Sequence, residues 1–305
     1  MPNNKSLIII AGPTAIGKTA LSIELAKHYQ TVVLSADSRQ FFKEMTVGTA
    51  KPLKEEMQNI PHFFIDSHSI TEDYNVGKYE TEAIALLEDL FQQYNTVILT
   101  GGSGLYIDAI CKGFDELPEA DGEVRTKIAT LYATEGIAGL QNLLKKLDEV
   151  YYNKVDLQNP QRMSRALEVC LTTGLPYSSL RKGKKQTRNF NIIKIGLNID
   201  RELLYQRINK RVDEMVNNGL VKEVESLTAY KHLNALQTVG YKELFDYLDN
   251  KTDLKTAIEL IKQNTRRFAK RQLTWFKRDE EIQWFEPQQT EEIINYIDSK
   301  LTTTA

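Results

Sequence analysis

Eight consecutive residues, Gly12, Pro13, Thr14, Ala15, Ile16, Gly17, Lys18 and Thr19, match the pattern G-x-x-x-x-G-K-[ST]. Those residue types in that order suit one kind of chemistry. Glycines let successive backbone N–H groups turn inward around a polyphosphate, the lysine supplies a point charge, and the hydroxyl after it can ligate magnesium. Mg2+ is therefore the expected cofactor and Thr19 its expected protein ligand. The loop alone does not say which phosphate compound it holds. Further along, Arg207 and Arg211 stand one helical turn apart, with Asp213 and Glu214 beside them. They either clamp a diphosphate or form a charged outer face, and spacing alone favours the outer face. Lys262 to Arg278 holds seven basic residues, no acid, and the aromatics Phe268, Trp275 and Phe276. Arg266, Arg267 and Lys270 fall on one helix face, and a solvated face normally mixes both signs, so a polyanion is the better partner, nucleic acid first. Phe268 and Trp275 are either stacking platforms or core.

Elements must bring these groups together. Apolar, β-branched runs at Leu7 to Ala11, Thr31 to Ala36, Phe63 to Ile65, Thr96 to Thr100 and Ile192 to Ile199 read as buried strands. Helical patterns between several of them predict an α/β fold with a parallel sheet and right-handed crossovers. Ligands gather at the carboxyl ends of such strands. That rule gathers the phosphate loop, Asp37 with Ser38, Gly101 to Ser103, and Asp200 with Arg201 at one crevice. Between the fourth and fifth runs, about ninety residues without a convincing strand exceed any ordinary connection, so a helical domain is inserted there. Leu140, Leu143, Leu144 and Leu147, then Met163, Ala166, Leu167 and Cys170, follow the i, i+3, i+4, i+7 rule. The expected division is residues 1–115 with 190–305 as core and C-terminal helices, and 116–189 as insertion. Five basic residues between Arg181 and Arg188 predict a solvated, mobile linker.

With 305 residues the chain can bury a sizeable core, and a net charge of −2 leaves any nucleic acid to be held by local basic patches. Two cysteines, Cys111 and Cys170, are too few for a disulfide framework or a structural zinc site and read as core residues of a reducing compartment. No signal-peptide plan and no membrane-length apolar run are present, which makes the cytoplasm the expected address and membranes no partner.

Taken together the motifs resemble one family. Gly12 to Thr19, Ser35-Ala36-Asp37-Ser38, Gly48-Thr49-Ala50-Lys51-Pro52 and Gly101-Gly102-Ser103-Gly104-Leu105-Tyr106 are similar to those of tRNA dimethylallyltransferases. So are Pro160 to Glu168, Val239-Gly240-Tyr241 and Ala269 to Trp275, in the right order from about residue 8 to about residue 285. The resemblance implies a P-loop NTPase-like sheet flanked by helices. It also implies transfer of a dimethylallyl group from its diphosphate to the exocyclic amine of the adenosine 3′ of the anticodon; a monomer is the expected state, though the sequence does not fix it. Asp37 takes the family's role of general base. Lys18, the N–H groups of residues 14–19 and Arg211 hold the diphosphate, which for Arg211 reverses the outer-face reading. Ser103 stands where the family often has threonine beside the reacting atoms, and the hydroxyl is kept. The tRNA-contacting positions implied are Asp37, Ser38, Arg39, Gln40, Ser103, Arg125, Gln161, Arg162, Met163, Ser164 and Arg165. Gln237, Thr238, Val239, Gly240, Tyr241 and Lys242 complete the set, although the family usually has a basic or small residue where Gln237 stands.

Other functions fit parts of the pattern. A small-molecule kinase would use the loop for ATP and Asp37 for magnesium, but it needs neither insertion nor acid-free basic helix. A non-catalytic RNA-binding module would leave Asp37 and Ser103 without purpose, and prenylation of free adenine nucleotides would not require the insertion.

Overall fold

The computed structural model describes residues 5–303 apart from 116, 119, 120, 182, 184 and 185. Six strands form one sheet: β1 (Ser6–Ala11), β2 (Val33–Ser35), β3 (His62–Phe63), β4 (Thr96–Gly101), β5 (Asn191–Leu197) and β6 (Gln283–Phe285), in the order β3-β2-β4-β1-β5-β6. Every pairing is parallel, with β1 central between β4 and β5. Five of these strands overlap the apolar runs of the sequence, β3 only at Phe63 of the expected Phe63 to Ile65; β6 is additional. At three residues, with Gln283 exposed, it offers no periodicity to read.

The helices among the described residues are α1 (Lys18–His28), α2 (Lys54–Met57), α3 (Val76–Gln93), α4 (Gly104–Lys112), α5 (Gly122–Leu147), α6 (Glu149–Tyr152) and α7 (Pro160–Thr173). They continue with α8 (Tyr177–Leu180), α9 (Arg201–Asn217), α10 (Leu220–Ser226), α11 (Tyr241–Leu248), α12 (Leu254–Phe276) and α13 (Thr290–Thr303). None is long and apolar enough to cross a membrane.

Because side chains alternate across a strand, β1 feeds two cores at once. Leu7, Ile9 and Ala11 pack with Tyr79, Ala83 and Leu87 of α3 and Ile107 and Ile110 of α4. Ile8 and Ile10 pack on the other face with Leu21 and Leu25 of α1, Leu204 and Ile208 of α9, and Ile293 and Ile297 of α13. Each fully buried isoleucine contributes roughly 1.5–3 kcal/mol relative to exposure, so the strand that leads into the phosphate loop is also the best anchored. A third cluster joins Phe42 and Met45 to Val212 of α9, Leu220 and Val224 of α10, Tyr241 and Leu244 of α11, and Ala257 and Ile261 of α12.

The chain divides into two compact units, 1–112 with 187–305, and 113–186. The second has its own core, in which Ile128, Leu140 and Leu144 of α5 meet Met163, Ala166 and Leu167 of α7. Asn159 caps α7 by accepting from the Arg162 N–H at 3.1 Å, and Gly174 ends it. Buried Asp148 accepts from Tyr151 N–H, Ser178 N–H and the Ser178 hydroxyl, tying α6 to α8. A methyl on Gly113 would lie 2.7 Å from Gln186, so the two ends of this unit touch. Cys111 and Cys170 are both buried thiols, each in its own unit.

Of the expected solvated linker, Lys182, Lys184 and Lys185 lie outside the described residues. Its last member corrects the expectation. Arg188 donates to Glu80 Oε1 at 2.7 Å and to the Ala109 and Ile110 carbonyls at the end of α4. Those are two of the carbonyls a helix C-terminus leaves without intrahelical partners, so the guanidinium is a cap.

Candidate active site

The main cavity of the larger unit, about 930 Å3, is lined by the loops that follow β1, β2 and β4, by residues of α1, α9 and α12, and by the 48–52 and 238–240 segments. The phosphate loop runs from β1 to α1. Gly17 adopts φ 110°, a left-handed conformation that L side chains rarely reach, and it turns the chain into α1. Thr14 through Thr19 line the cavity; Gly12 and Pro13 lie beneath it, buried. Lys18 folds back, its amine donating to Pro13 O at 2.7 Å and Gly12 O at 3.0 Å. Burial pushes its pKa down to about 8, against the pull of Asp37 and with Arg211 adding to the lowering.

β2 ends at Asp37. Its Oδ1 accepts from the Arg39 N–H at 3.0 Å, a turn that holds the carboxylate at the strand tip. The neighbouring β4 comes alongside: Ala36 N donates to Thr100 O at 2.7 Å, and Ser103 N to Ala36 O at 3.3 Å. This approach requires glycine at 101, where a Cβ would collide with the Ala36 carbonyl. Ser103 Oγ then accepts from Ser38 N–H at 3.0 Å and lies 3.1 Å from Ser38 Oγ. Ser38 and Ser103, joined by hydrogen bonds, and the adjacent Asp37 thus form one lip of the cavity.

Both arginines of α9 face inward. Arg211 donates to Thr14 Oγ1 at 3.3 Å and Ala50 O at 3.4 Å, and burial lowers its pKa while Asp37, Glu56 and Glu214 oppose the shift. Arg207 donates to Ile16 O at 3.3 Å. The outer-face reading favoured by spacing alone therefore fails for both. Burial also lowers Arg39, with Tyr106, Asp37 and Tyr241 opposing. Gln40 donates to Thr49 O and Ala50 O at 3.3 Å each, fastening the Gly48–Pro52 segment to the lip. Thr238, Val239 and Gly240 line the cavity too.

Several expected positions lie elsewhere. Asp200 and Arg201 do not line the cavity: Asp200 caps α9, accepting from Glu202 and Leu203 N–H. The strand-end rule overreached there, because what β5 contributes is the start of a helix whose next two turns carry the site residues. Met163 is fully buried in the core of the smaller unit, and its periodicity, not its place in a motif, decides its use. Tyr241 is likewise fully buried, its hydroxyl donating to Glu223 at 2.6 Å. Gln237 donates to Lys231 O, and Lys242 is exposed. In the smaller unit Arg125, Gln161 and Arg162 are exposed, Ser164 is half-buried, and Arg165 donates to Glu168 and Pro118 O.

α12 shows two faces. Ile261, Thr265, Phe268 and Gln272 line the cavity, while Arg267, Lys270 and Arg271 are exposed. Lys262 and Arg266 are instead engaged with Asp213 and Asn209 of α9. Trp275 packs on Gly104, its Nε1–H donating to Asp108 at 2.9 Å, so it is core; Phe268, 39% exposed, is not. Two site residues escaped the sequence reading. Glu223 on α10 accepts from Thr46, Val47 and Gly48 N–H, and Gln272 bridges two cavity loops. For Gln272 the available signal was a neutral amide on the face shared by Ile261, Thr265 and Phe268, amid basic neighbours.

A parallel sheet with a phosphate loop at its rim, a carboxylate and a hydroxyl at the neighbouring strand tips, and inward arginines define an α/β transferase of the P-loop type. The description IPP transferase matches residues 40–279. A tRNA dimethylallyltransferase of Flavobacterium johnsoniae is 57% identical, with 98% of this chain and 99% of the relative covered. One from Bacteroides fragilis is 50% identical, with 97% and 99% covered. Among solved structures, the full-length tRNA isopentenylpyrophosphate transferase of Bacillus halodurans is similar with TM-score 0.74 and 36% identity, 98% of each chain covered. A eukaryotic dimethylallyltransferase acting on tRNA gives TM-score 0.77 at 27% identity, covering 94% of this chain and 75% of that one. The chain belongs to the tRNA dimethylallyltransferase family of prenyltransferases.

Proposed function

We propose that this enzyme transfers the dimethylallyl group of dimethylallyl diphosphate to the exocyclic amine of the adenosine 3′ of the anticodon in tRNA, releasing diphosphate. The observation that carries this reading is that the phosphate loop, Asp37 and Ser103 line one cavity. An adenine amine is a poor nucleophile because its lone pair is delocalised into the ring. Its nitrogen attacks the allylic carbon as the Asp37 carboxylate accepts its proton, and the carbon–oxygen pair leaves on the diphosphate. Lys18, Arg211 and the loop N–H groups that follow Thr14, residues 15–19, stabilise the growing negative charge. The Arg39 N–H holds the Asp37 carboxylate at the rim where the amine would arrive. Ser103, sharing its hydroxyl with Ser38, fixes the lip against which the base sits.

Thr19 offers a hard hydroxyl oxygen on the cavity at the start of α1, which fits Mg2+, an ion that favours oxygen and few protein ligands beside substrate phosphates. When bound at Thr19, the ion would neutralise charge on the diphosphate. The target base must leave the anticodon stack to reach Asp37, at a cost of a few kcal/mol offset by phosphate contacts. Arg267, Lys270 and Arg271 on α12, and Arg125, Gln161 and Arg162 on the smaller unit, are exposed for that purpose.

The kinase reading is not favoured by the family. Incubation with labelled dimethylallyl diphosphate and, separately, labelled ATP, each with bulk tRNA, tests the choice. Label on RNA from the first and no phosphoryl transfer from the second is expected; the converse overturns the proposal. Asp37→Ala is expected to keep tRNA affinity and lose transfer by about 10²–10⁴-fold in single turnover. A fully active variant removes Asp37 from its role.

A further inference from the structure

One buried side chain has no part in the chemistry above, yet it touches both sides of the site. Gln272 of α12 is 7% exposed. Its Oε1 accepts from the Thr14 N–H at 3.0 Å, and its Nε2 donates to the Gly102 carbonyl at 2.8 Å. Thr14 opens the part of the phosphate loop that lines the cavity; Gly102 immediately precedes Ser103. The fit is close, since a Cβ on Gly102 would collide with Nε2.

We propose that Gln272 is a positioning residue for the prenyl transfer, its amide holding the phosphate loop and the Gly101–Ser103 loop at one fixed separation. This rests on the function proposed above. A primary amide alone among side chains of this length offers a neutral acceptor and a neutral donor side by side, which is what one N–H and one C=O facing the same group require. A carboxylate would accept from Thr14 and repel the Gly102 oxygen. Leucine would leave two buried main-chain groups unpaired, and asparagine is one methylene short of spanning them. Thr14 is then gripped twice, by Gln272 at its N–H and by Arg211 at its hydroxyl, so the direction of the N–H groups that follow is set from outside the loop. Ser103 is set from the same point through Gly102. Misplacing reacting groups by an ångström costs about 10²-fold in rate, so the distance between leaving-group seat and lip is worth this device.

The test uses the full-length enzyme with Gln272→Leu, Gln272→Asn and Gln272→Glu. Dimethylallyl transfer gives KM and kcat, calorimetry gives the Kd for inorganic pyrophosphate with Mg2+, and filter binding gives the Kd for tRNA. We expect Gln272→Leu to lower kcat by about 10²-fold and to weaken pyrophosphate binding by about tenfold, with tRNA Kd within about twofold of wild type. Gln272→Asn falls between Leu and wild type. The deficit of Gln272→Glu shrinks as pH is lowered, because a protonated carboxyl can again donate to Gly102 O, a profile that loss of folding would not produce. Values of kcat and pyrophosphate Kd within about twofold of wild type in Leu and Asn variants overturn the proposal. So does a loss of tRNA binding as large as that of pyrophosphate in variants whose thermal unfolding midpoint matches wild type, since a residue that only spaces the two loops spares tRNA. If wild type transfers no dimethylallyl group, the reading of the reaction fails, and pyrophosphate calorimetry still decides the role of Gln272.

Discussion

Lys18 shows how far a residue's role depends on its surroundings. Its amine is held by the Gly12 and Pro13 carbonyls, and its pKa is about 8, against an ordinary 10.5. Between about 8 and 10.5 the unfolded chain keeps a proton that the folded loop has released, so this group's contribution to stability rises with pH across that window. Anion affinity runs the other way, because the neutral amine offers no charge. Pyrophosphate affinity should therefore fall as pH rises above about 8, and binding there should take up a proton. Calorimetric enthalpies that vary with the ionisation enthalpy of the buffer would confirm it; buffer-independent enthalpies would contradict it. The loop, Asp37 and Ser103 were legible because local pattern defines them. Gln272 and Glu223 were not, since each acts on main-chain groups 170 or more residues away.

At the scale of elements, α10 fastens a loop of the site through one carboxylate. Glu223 Oε2 accepts from Thr46 N–H at 3.0 Å and Val47 N–H at 2.7 Å, while Oε1 accepts from Gly48 N–H at 2.9 Å and the Tyr241 hydroxyl. The segment so held ends at Ala50, whose carbonyl receives Arg211 and Gln40. Glu223→Ala should cost about 2–3 kcal/mol, since charged acceptors are worth most but water can reach part of this loop. Denaturant unfolding measures it, and an unchanged midpoint would show that the loop holds itself. Strands β1, β4 and β5 were readable because both faces are buried and the runs are continuous. β6 was not, as an edge strand of three residues carries neither run nor alternation. Arg188 was misread for a related reason: composition described its neighbours, whereas α4's open carbonyls decided its own place.

For the whole molecule, a net charge of −2 must coexist with binding to a polyanion. The cations exposed on the C-terminal half of α12, Arg267, Lys270 and Arg271, are those that counterion release would report. tRNA affinity should fall linearly on a log–log plot against salt, and changing Lys270 or Arg271 to Gln should reduce that slope by about 1 each. A slope unchanged in both variants would place the RNA elsewhere. The inserted unit was foreseen from the length of chain without strands, though its tRNA-contacting set was read too broadly: Met163 belongs to its core.

The touching ends of that unit, Gly113 and Gln186, have a consequence for how such enzymes diversify. Where entry and exit of a segment are neighbours, the closure entropy of the host grows only slowly with what is held between them. The segment is thereby a cassette: lengthened, trimmed or exchanged for another module, it leaves strand order, phosphate loop and lip as they were. Selection can retune substrate capture without renegotiating catalysis.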